Sequence, residues 1–113
     1  MQPHKKYKIY ILGNIPPLIT IETIHKFSYA ESQMHKYSVK AFNPLTNLLN
    51  PNLKKNDAFK RNIHELTDSN AIYLLDEGND FYTHSIELKL AFALNLTIIH
   101  EPNNTTHKNI SVE

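Results

Sequence analysis

The strongest constraint on the fold is the stretch from Ala71 to Leu94. The run AIYLL at Ala71–Leu75 has the length and composition of a buried strand, and the polar residues of Asp76–Asp80 end it. A helical pattern follows, with one carboxylate in its first turns, Glu87. In α/β proteins, ligands bind beyond the carboxyl ends of the parallel strands. The layout therefore predicts a ligand site that contains Glu87.

Strands and helices alternate along the rest of the chain. Apolar residues three and four apart predict one helix that begins after the capping residue Thr20 and another over Asp57–Leu66. The asparagine-rich stretch 43–56 predicts a loop with one helical turn at Leu45–Leu49. Runs rich in β-forming residues predict three further strands: Tyr7–Leu12, Ser38–Phe42 and Leu96–His100.

This alternation over short connections favours parallel βαβ units. We predict a single α/β domain, a three-layer sandwich with about four parallel strands, whose core spans residues 7–101. The helix that starts at Thr83 or Ser85 is apolar on nearly every side, which predicts a buried helix. Asn95 suits the left-handed residue that ends it. The polar tail, residues 102–113, includes a candidate at 110–112 for an edge strand or for a contact with a partner.

Composition excludes several classes of function. The chain has no cysteine, which rules out thiol catalysis and thiolate metal sites, and its seven histidines lack metal-ligand spacing. We therefore expect no metal and no cofactor. A net charge of +1 and a single arginine give no nucleic-acid signature. Without a spanning segment or a signal-peptide core, the expected location is the cytoplasm, with no membrane partner.

Two residues are the candidates for chemistry. Glu87 has apolar neighbours one and two turns further along the helix, so we expect its carboxylate to face inward or into a pocket. The alternative is a half-buried glutamate that caps backbone amides or pairs with a lysine. Tyr10 lies near the end of the first strand and could place its hydroxyl beside Glu87; the alternative is a core tyrosine bonded to a backbone carbonyl.

Several polar residues are candidates for substrate binding because they follow predicted strands. Gly13 and Asn14 break the first strand and could present backbone N–H groups to a ligand, and Asn43 ends the second. Asp80 is the acidic loop residue nearest the start of the helix. His84 in the same loop could act as an acid or base, although an exposed loop histidine is the simpler interpretation.

Together these pieces resemble small bacterial and phage proteins of the nucleoside 2-deoxyribosyltransferase superfamily. The matching segments are Ile9–Gly13, Phe27 through Asn43-Pro44, Leu66–Leu75 and Asp80–Leu96. The resemblance implies a flavodoxin-like fold with four to five parallel strands, and chemistry at the N-glycosidic bond of a nucleoside or nucleotide. It implies Glu87 as the nucleophile, with Tyr10 orienting it or the sugar. It also implies a site completed across a homodimer. Phe81, Tyr82 and the apolar outer face of the helix that carries Glu87 could supply the interface.

The sequence departs from the family pattern at four places, one of which is the segment after Gly13, which lacks a second glycine. Asn62 and Asn70 stand where the family usually has assisting aspartates. An amide can donate or accept a hydrogen bond, so Asn62 is a candidate for substrate binding, but it cannot transfer a proton. Thr83-His84-Ser85 replaces a glycine-rich stretch before the glutamate. Three functions therefore remain open: an N-glycosidase or deoxyribosyltransferase, a module that binds a nucleotide without cleaving it, and an interaction protein whose pocket is vestigial and filled by side chains such as Phe81 and Tyr82.

Overall fold

The computed structural model describes residues 7–75 and 79–102, except for the side chains of Asn79, Asp80 and Tyr82. The sheet in this part of the chain has four strands: β1 (Lys8–Leu12), β2 (Lys40–Phe42), β3 (Ala71–Leu74) and β4 (Thr97–His100). All neighbours are parallel, in the order β2-β1-β3-β4. The strand runs of the sequence predicted all four, with ends that differ by one or two residues.

Five helices connect these strands within the described residues: α1 (Ile21–His35), α2 (Leu45–Leu48), α3 (Lys55–Thr67), α4 (Asn79–His84) and α5 (Ile86–Ala93). Thr20 caps α1, since its hydroxyl oxygen accepts a hydrogen bond from the Thr23 N–H at 3.2 Å. The helical turn α2 lies where the sequence predicted one. Asn95 follows α5 with φ of 59°, the left-handed residue expected at the end of that helix.

Helices cover both faces of the sheet. On one face, Phe27 and Ala30 of α1 pack against alternate strand residues such as Ile11 and Tyr73. On the other face, α3 and α5 pack against the intervening positions: Tyr10, Leu12, Ile72 and Leu74 lie beneath Leu66, Leu88 and Ala91. Burial on both faces explains why β1 and β3 are apolar along nearly their whole length. The three-layer, flavodoxin-like α/β fold is confirmed.

The prediction of a buried final helix was wrong. In α5 only Leu88 and Ala91 are buried, whereas Ile86 is 64% and Phe92 62% exposed. The physical reason is that α5 belongs to an outer layer and contacts the sheet through a single stripe of side chains. The start of this segment also differs, because α4 forms within what was predicted as loop. Residues 76–78 and the candidate strand at 110–112 lie outside the described residues.

A polar cluster lies at the end of the sheet where the strands begin, which we call the amino edge; the opposite end, where the strands finish, is the carboxyl edge. Lys8 is only 7% exposed in the inner strand β1, and its ammonium group pairs with Glu65 and, at 3.4 Å, with Asp68 at the end of α3. The Lys8 N–H donates to the Asn70 side-chain oxygen at 2.8 Å. Asn70 is therefore a structural residue at the edge opposite the carboxyl ends of the strands.

The helices described here are all too short or too polar to cross a membrane.

Candidate functional site

The site is organised by the junction between α4 and α5. The Ser85 N–H donates to the Phe81 carbonyl at 2.9 Å, which closes the last turn of α4. The Ser85 hydroxyl then accepts from the Leu88 N–H at 3.0 Å and caps α5. These two bonds fix the backbone on both sides of the junction. Glu87 therefore lies in the first turn of α5, where the helix N-terminus favours a negative charge.

Two hollows meet at Glu87, beyond the carboxyl ends of β1 and β3. The first, which we call the loop hollow, has a volume of about 250 Å³, and its lining is Gly13, Asn14, Ile15, Phe81, His84, Ser85 and Glu87. The second, which we call the proline hollow, has a volume of about 460 Å³, and its lining is Ile15, Pro16, Pro17, Ile19, Leu48, Leu53, Lys55, Phe59, Asn62 and Glu87. Ile15 and Glu87 are common to both.

Glu87 is half-buried, and no hydrogen bond or ion pair joins its carboxylate to another residue that the structure describes. Neither alternative for this residue, an amide cap or a lysine partner, is therefore found within those residues. Glu87 is also the one carboxylate that lines either hollow, as far as the described side chains go. A half-buried acid without a partner retains lone pairs that can act on a ligand.

Tyr10 lies beneath this site rather than in its wall. Its side chain is fully buried, its ring lies 5.5 Å from that of Phe42 between centroids, and its hydroxyl has no hydrogen-bond partner within the described residues. Burial first, and then the negative charges of Glu87 and Glu65, raise the pKa of Tyr10 well above its ordinary value. The hydroxyl is therefore protonated at neutral pH and lies within electrostatic reach of Glu87.

The structure gathers most of the candidate binding residues around the two hollows. Gly13, Asn14 and His84 line the loop hollow, and Asn62 lines the proline hollow. The Asn62 side chain is only 3% exposed and is already bonded: its NH₂ donates to the Pro44 carbonyl at 3.2 Å, and its oxygen accepts from Asn47 at 2.8 Å. It therefore ties α3 to α2 while it forms part of the wall.

Two of the residues singled out in the sequence, Asn43 and Asn70, line neither hollow. The side-chain oxygen of Asn43 accepts from the Leu45 N–H at 3.0 Å, and its NH₂ donates to Glu31 at 3.2 Å. Asn70 lies at the amino edge, so its amide removes no assisting acid from the surroundings of Glu87, contrary to the interpretation based on the family pattern. The side chain of Asp80 lies outside the described part of the chain.

Sequence reasoning missed the wall of the proline hollow. Ile15, Pro16 and Phe59 provide apolar surface, and Lys55 provides a cation. The Pro16-Pro17 pair was a usable signal, because two prolines after a strand hold the chain extended at the edge of the sheet. Within the described residues no group of three His, Asp or Glu side chains is arranged to hold a metal ion.

The fold is similar to that of a solved 2-deoxyribosyltransferase from the psychrotolerant bacterium Bacillus psychrosaccharolyticus, characterised as a biocatalyst for the synthesis of antiviral and antitumoral nucleosides. The TM-score is 0.64 at 19% sequence identity, over 82% of this chain and 70% of that one. The likeness is one of fold. No family model matches the sequence, and a search of curated proteins gave no match.

Proposed function

We propose that this protein acts on the N-glycosidic bond of a nucleoside or nucleotide, with Glu87 as the nucleophile. The observation that carries this proposal is the half-buried Glu87 carboxylate, which lines both hollows at the carboxyl edge of the sheet and has no partner among the described residues. The fold shared with a 2-deoxyribosyltransferase agrees with this chemistry. A carboxylate on a rigid helix end is suited to covalent attack on a sugar.

The reaction divides into two displacements. A Glu87 carboxylate oxygen bonds to the anomeric carbon as the bond from that carbon to the base nitrogen breaks, and the base leaves with the electron pair and takes up a proton. Water or the nitrogen of a second base then attacks the same carbon, which breaks the ester to Glu87 and restores the carboxylate. The attacking group gives its proton to the residue that protonated the first base. Water gives hydrolysis, and a second base gives transfer.

The residues around Glu87 have complementary roles in this proposal. His84 lines the loop hollow, where its imidazole can deliver a proton to the departing base. The Tyr10 hydroxyl, neutral and buried beneath the site, can donate a hydrogen bond that orients Glu87. Lys55 lines the proline hollow and can attract a 5′-phosphate. Gly13 and Asn14 border the loop hollow, where they can bind the base or sugar.

The test is base release from a panel of ribo- and deoxyribonucleosides and their 5′-monophosphates, followed by chromatography with and without a second base. We expect turnover of at least one substrate, and Glu87→Gln should lower its rate by at least about 10³-fold. Glu22→Gln is the matched control, because Glu22 is an exposed glutamate in the first turn of α1. Turnover that persists in Glu87→Gln would refute the assignment of the nucleophile.

A second function, nucleotide binding without cleavage, is favoured by one observation. The position that the family pattern gives to an acid is Asn62, and its amide is bonded to Pro44 and Asn47. Such an amide cannot assist departure of the base. Under this alternative a nucleotide raises the melting temperature and is recovered intact from the protein. Thermal shift and chromatography on the same sample separate the two functions.

We further propose that the protein forms a homodimer through the outer face of α5. Ile86, Phe92 and Leu94 are 64%, 62% and 43% exposed, which is a large apolar area for a free surface. Light scattering should give twice the chain mass, and Phe92→Lys should shift it towards the monomer. The control is Tyr29→Lys, which changes an exposed aromatic residue on the opposite face of the sheet. A monomeric parent protein would rule out the dimer.

A further inference from the structure

A third hollow, which we call the tyrosine hollow, lies on the α1 side of the sheet. It has a volume of about 310 Å³ and shares no lining residue with the two hollows at Glu87. Its floor is Tyr73 of β3 and Ile99 of the edge strand β4, which pair in register. Its size lies at the lower end of the range for ligand sites, about 300–1,000 Å³.

Three of the chain's six tyrosines line this hollow. Tyr73 is nearly buried in the floor, whereas Tyr29 on α1 and Tyr37 just after it are 60% and 73% exposed. The backbone holds Tyr37 in place, because its N–H donates to the Met34 carbonyl at 3.0 Å and the next residue, Ser38, turns the chain with φ of 57°. Two aromatic side chains thus line the hollow with much of their surface in solvent.

The described lining of the tyrosine hollow contains one carboxylate, that of Glu101. The Glu101 N–H donates to the Leu74 carbonyl at 2.9 Å, so the backbone at this position continues the sheet. His100 is the other ionisable side chain besides the tyrosines, and no lysine or arginine is found among the described lining residues. Burial raises the pKa of Tyr73, and Glu101, Tyr29 and Tyr37 raise it further. This agrees with the position of all four side chains around the same hollow.

We propose that the tyrosine hollow binds a quaternary or N-methylated ammonium group. The faces of aromatic rings carry negative potential and attract organic cations that are too weakly hydrated to prefer water. Three tyrosines around a small hollow provide such a surface, and none of its described lining residues is a lysine or arginine that would attract an anionic ligand instead. This inference is independent of the function proposed for Glu87.

The decisive measurement compares choline with its uncharged isostere, 3,3-dimethylbutan-1-ol, by NMR titration of the full chain. We expect choline to bind at least about tenfold more tightly, because the two ligands differ in charge but hardly in shape. A peptide with trimethyllysine, against the same peptide with lysine, distinguishes a protein-borne ammonium group from a free one. Preference for either methylated cation supports the proposal. Equal affinity for choline and its isostere together with equal affinity for the trimethyllysine and lysine peptides, or no binding of any cation, overturns it.

Three variants locate the binding. Tyr37→Leu and Glu101→Gln should each weaken binding of the preferred cation by about threefold or more, because each removes one source of negative potential. Tyr7→Leu is the matched control, since Tyr7 is 48% exposed and lines a different hollow with His35 and Lys40. Circular dichroism checks that the variants fold. Unchanged affinity in both folded test variants, or an equal loss in Tyr7→Leu, counts against the site.

Discussion

The charged residues at the amino and carboxyl edges of the sheet differ in whether they have partners. At the amino edge, the nearly buried Lys8 pairs with Glu65 and Asp68, and Asn70 bonds the backbone beside it. At the carboxyl edge, the half-buried Glu87 lines two hollows, without such a bond to any described residue. The chain thus buries one charge with partners and leaves another open to a ligand.

The difference separates residues that hold the fold from residues that are available for chemistry. A buried charge with several partners becomes costly to alter, because its removal leaves those partners desolvated. A carboxylate that faces a hollow contributes little to stability, since water solvates it in the absence of ligand. Stability and activity should therefore respond separately to substitutions at the two edges, and four predictions test this.

The largest effect on stability is expected at Lys8. Lys8→Ala should lower the free energy of unfolding by about 2–3 kcal/mol, because it removes a buried side chain and leaves Glu65 partly desolvated. Urea denaturation measures this. Lys40→Ala is the control, since Lys40 is the exposed partner of Lys8 in the β1–β2 register and should change stability by less than about 0.5 kcal/mol. Equal losses for the two lysines would remove the contrast between the edges.

The next effect is expected at Asn70. Asn70→Ala should cost about 1–2 kcal/mol, because the buried Lys8 N–H loses its acceptor. Asn70→Asp keeps an acceptor oxygen and should stay within about 0.5 kcal/mol of the parent. Because this position lies at the amino edge, the aspartate should also leave any base release unchanged. A gain in turnover from Asn70→Asp would place this residue in the site after all.

Tyr10 lies between the edges. Burial, and then acids at both edges, raise its pKa above the ordinary value of 10.0. The folded state therefore keeps this proton when the unfolded state loses it, so the stability that Tyr10 contributes is present below pH 10 and is lost as the pH rises above 10. The loss should be about 1.4 kcal/mol per pH unit relative to Tyr10→Phe.

Urea denaturation at several values between pH 9 and 11 measures this loss. Tyr7→Phe, a change at an exposed tyrosine, is the control for general alkaline effects. A pH dependence of Tyr10→Phe that matches the parent protein would contradict the burial of this hydroxyl.

The smallest effect on stability is expected at Glu87. Glu87→Gln should change the free energy of unfolding by less than about 0.5 kcal/mol, because the carboxylate has no protein partner within the described residues. The same variant is expected to abolish base release, so it separates the two properties most sharply. A loss above about 1 kcal/mol would mean that Glu87 is a structural acid like Glu65.

The sequence was informative where the chain determines structure locally. The spacing and composition of apolar residues predicted the strands. Residue type at the helix ends predicted Thr20 as a cap and Asn95 as a left-handed residue. Each of these features depends on neighbours in the chain. The exposure of α5 was not predicted, since an apolar composition does not reveal which face a three-layer fold leaves in solvent. The partners of Lys8 were missed because they lie 57 and 60 residues away.

Part of the candidate site was also predictable, because some of its residues are positioned by the strands that precede them in the chain. Glu87, Gly13, Asn14 and His84 all follow strands, and the topology of a parallel sheet brings such positions together. Asn43 also follows a strand, but its side-chain oxygen accepts from the Leu45 N–H in its own loop. The sequence does not reveal whether such a side chain bonds the nearby backbone or faces a ligand. Lys55 and Phe59 belong to α3, and only the packing of α3 beside the Pro16-Pro17 loop brings them to the same hollow.

The inner position of β1 has a consequence for local opening. Its backbone is bonded to β2 on one side and β3 on the other, whereas β4 has one neighbour in the described sheet. In native-state hydrogen exchange, the amide protons of Ile9–Leu12 should therefore be among the last to exchange, and those of β4 should exchange earlier. The strand that leads into Gly13 would then keep its geometry through every fluctuation short of complete unfolding.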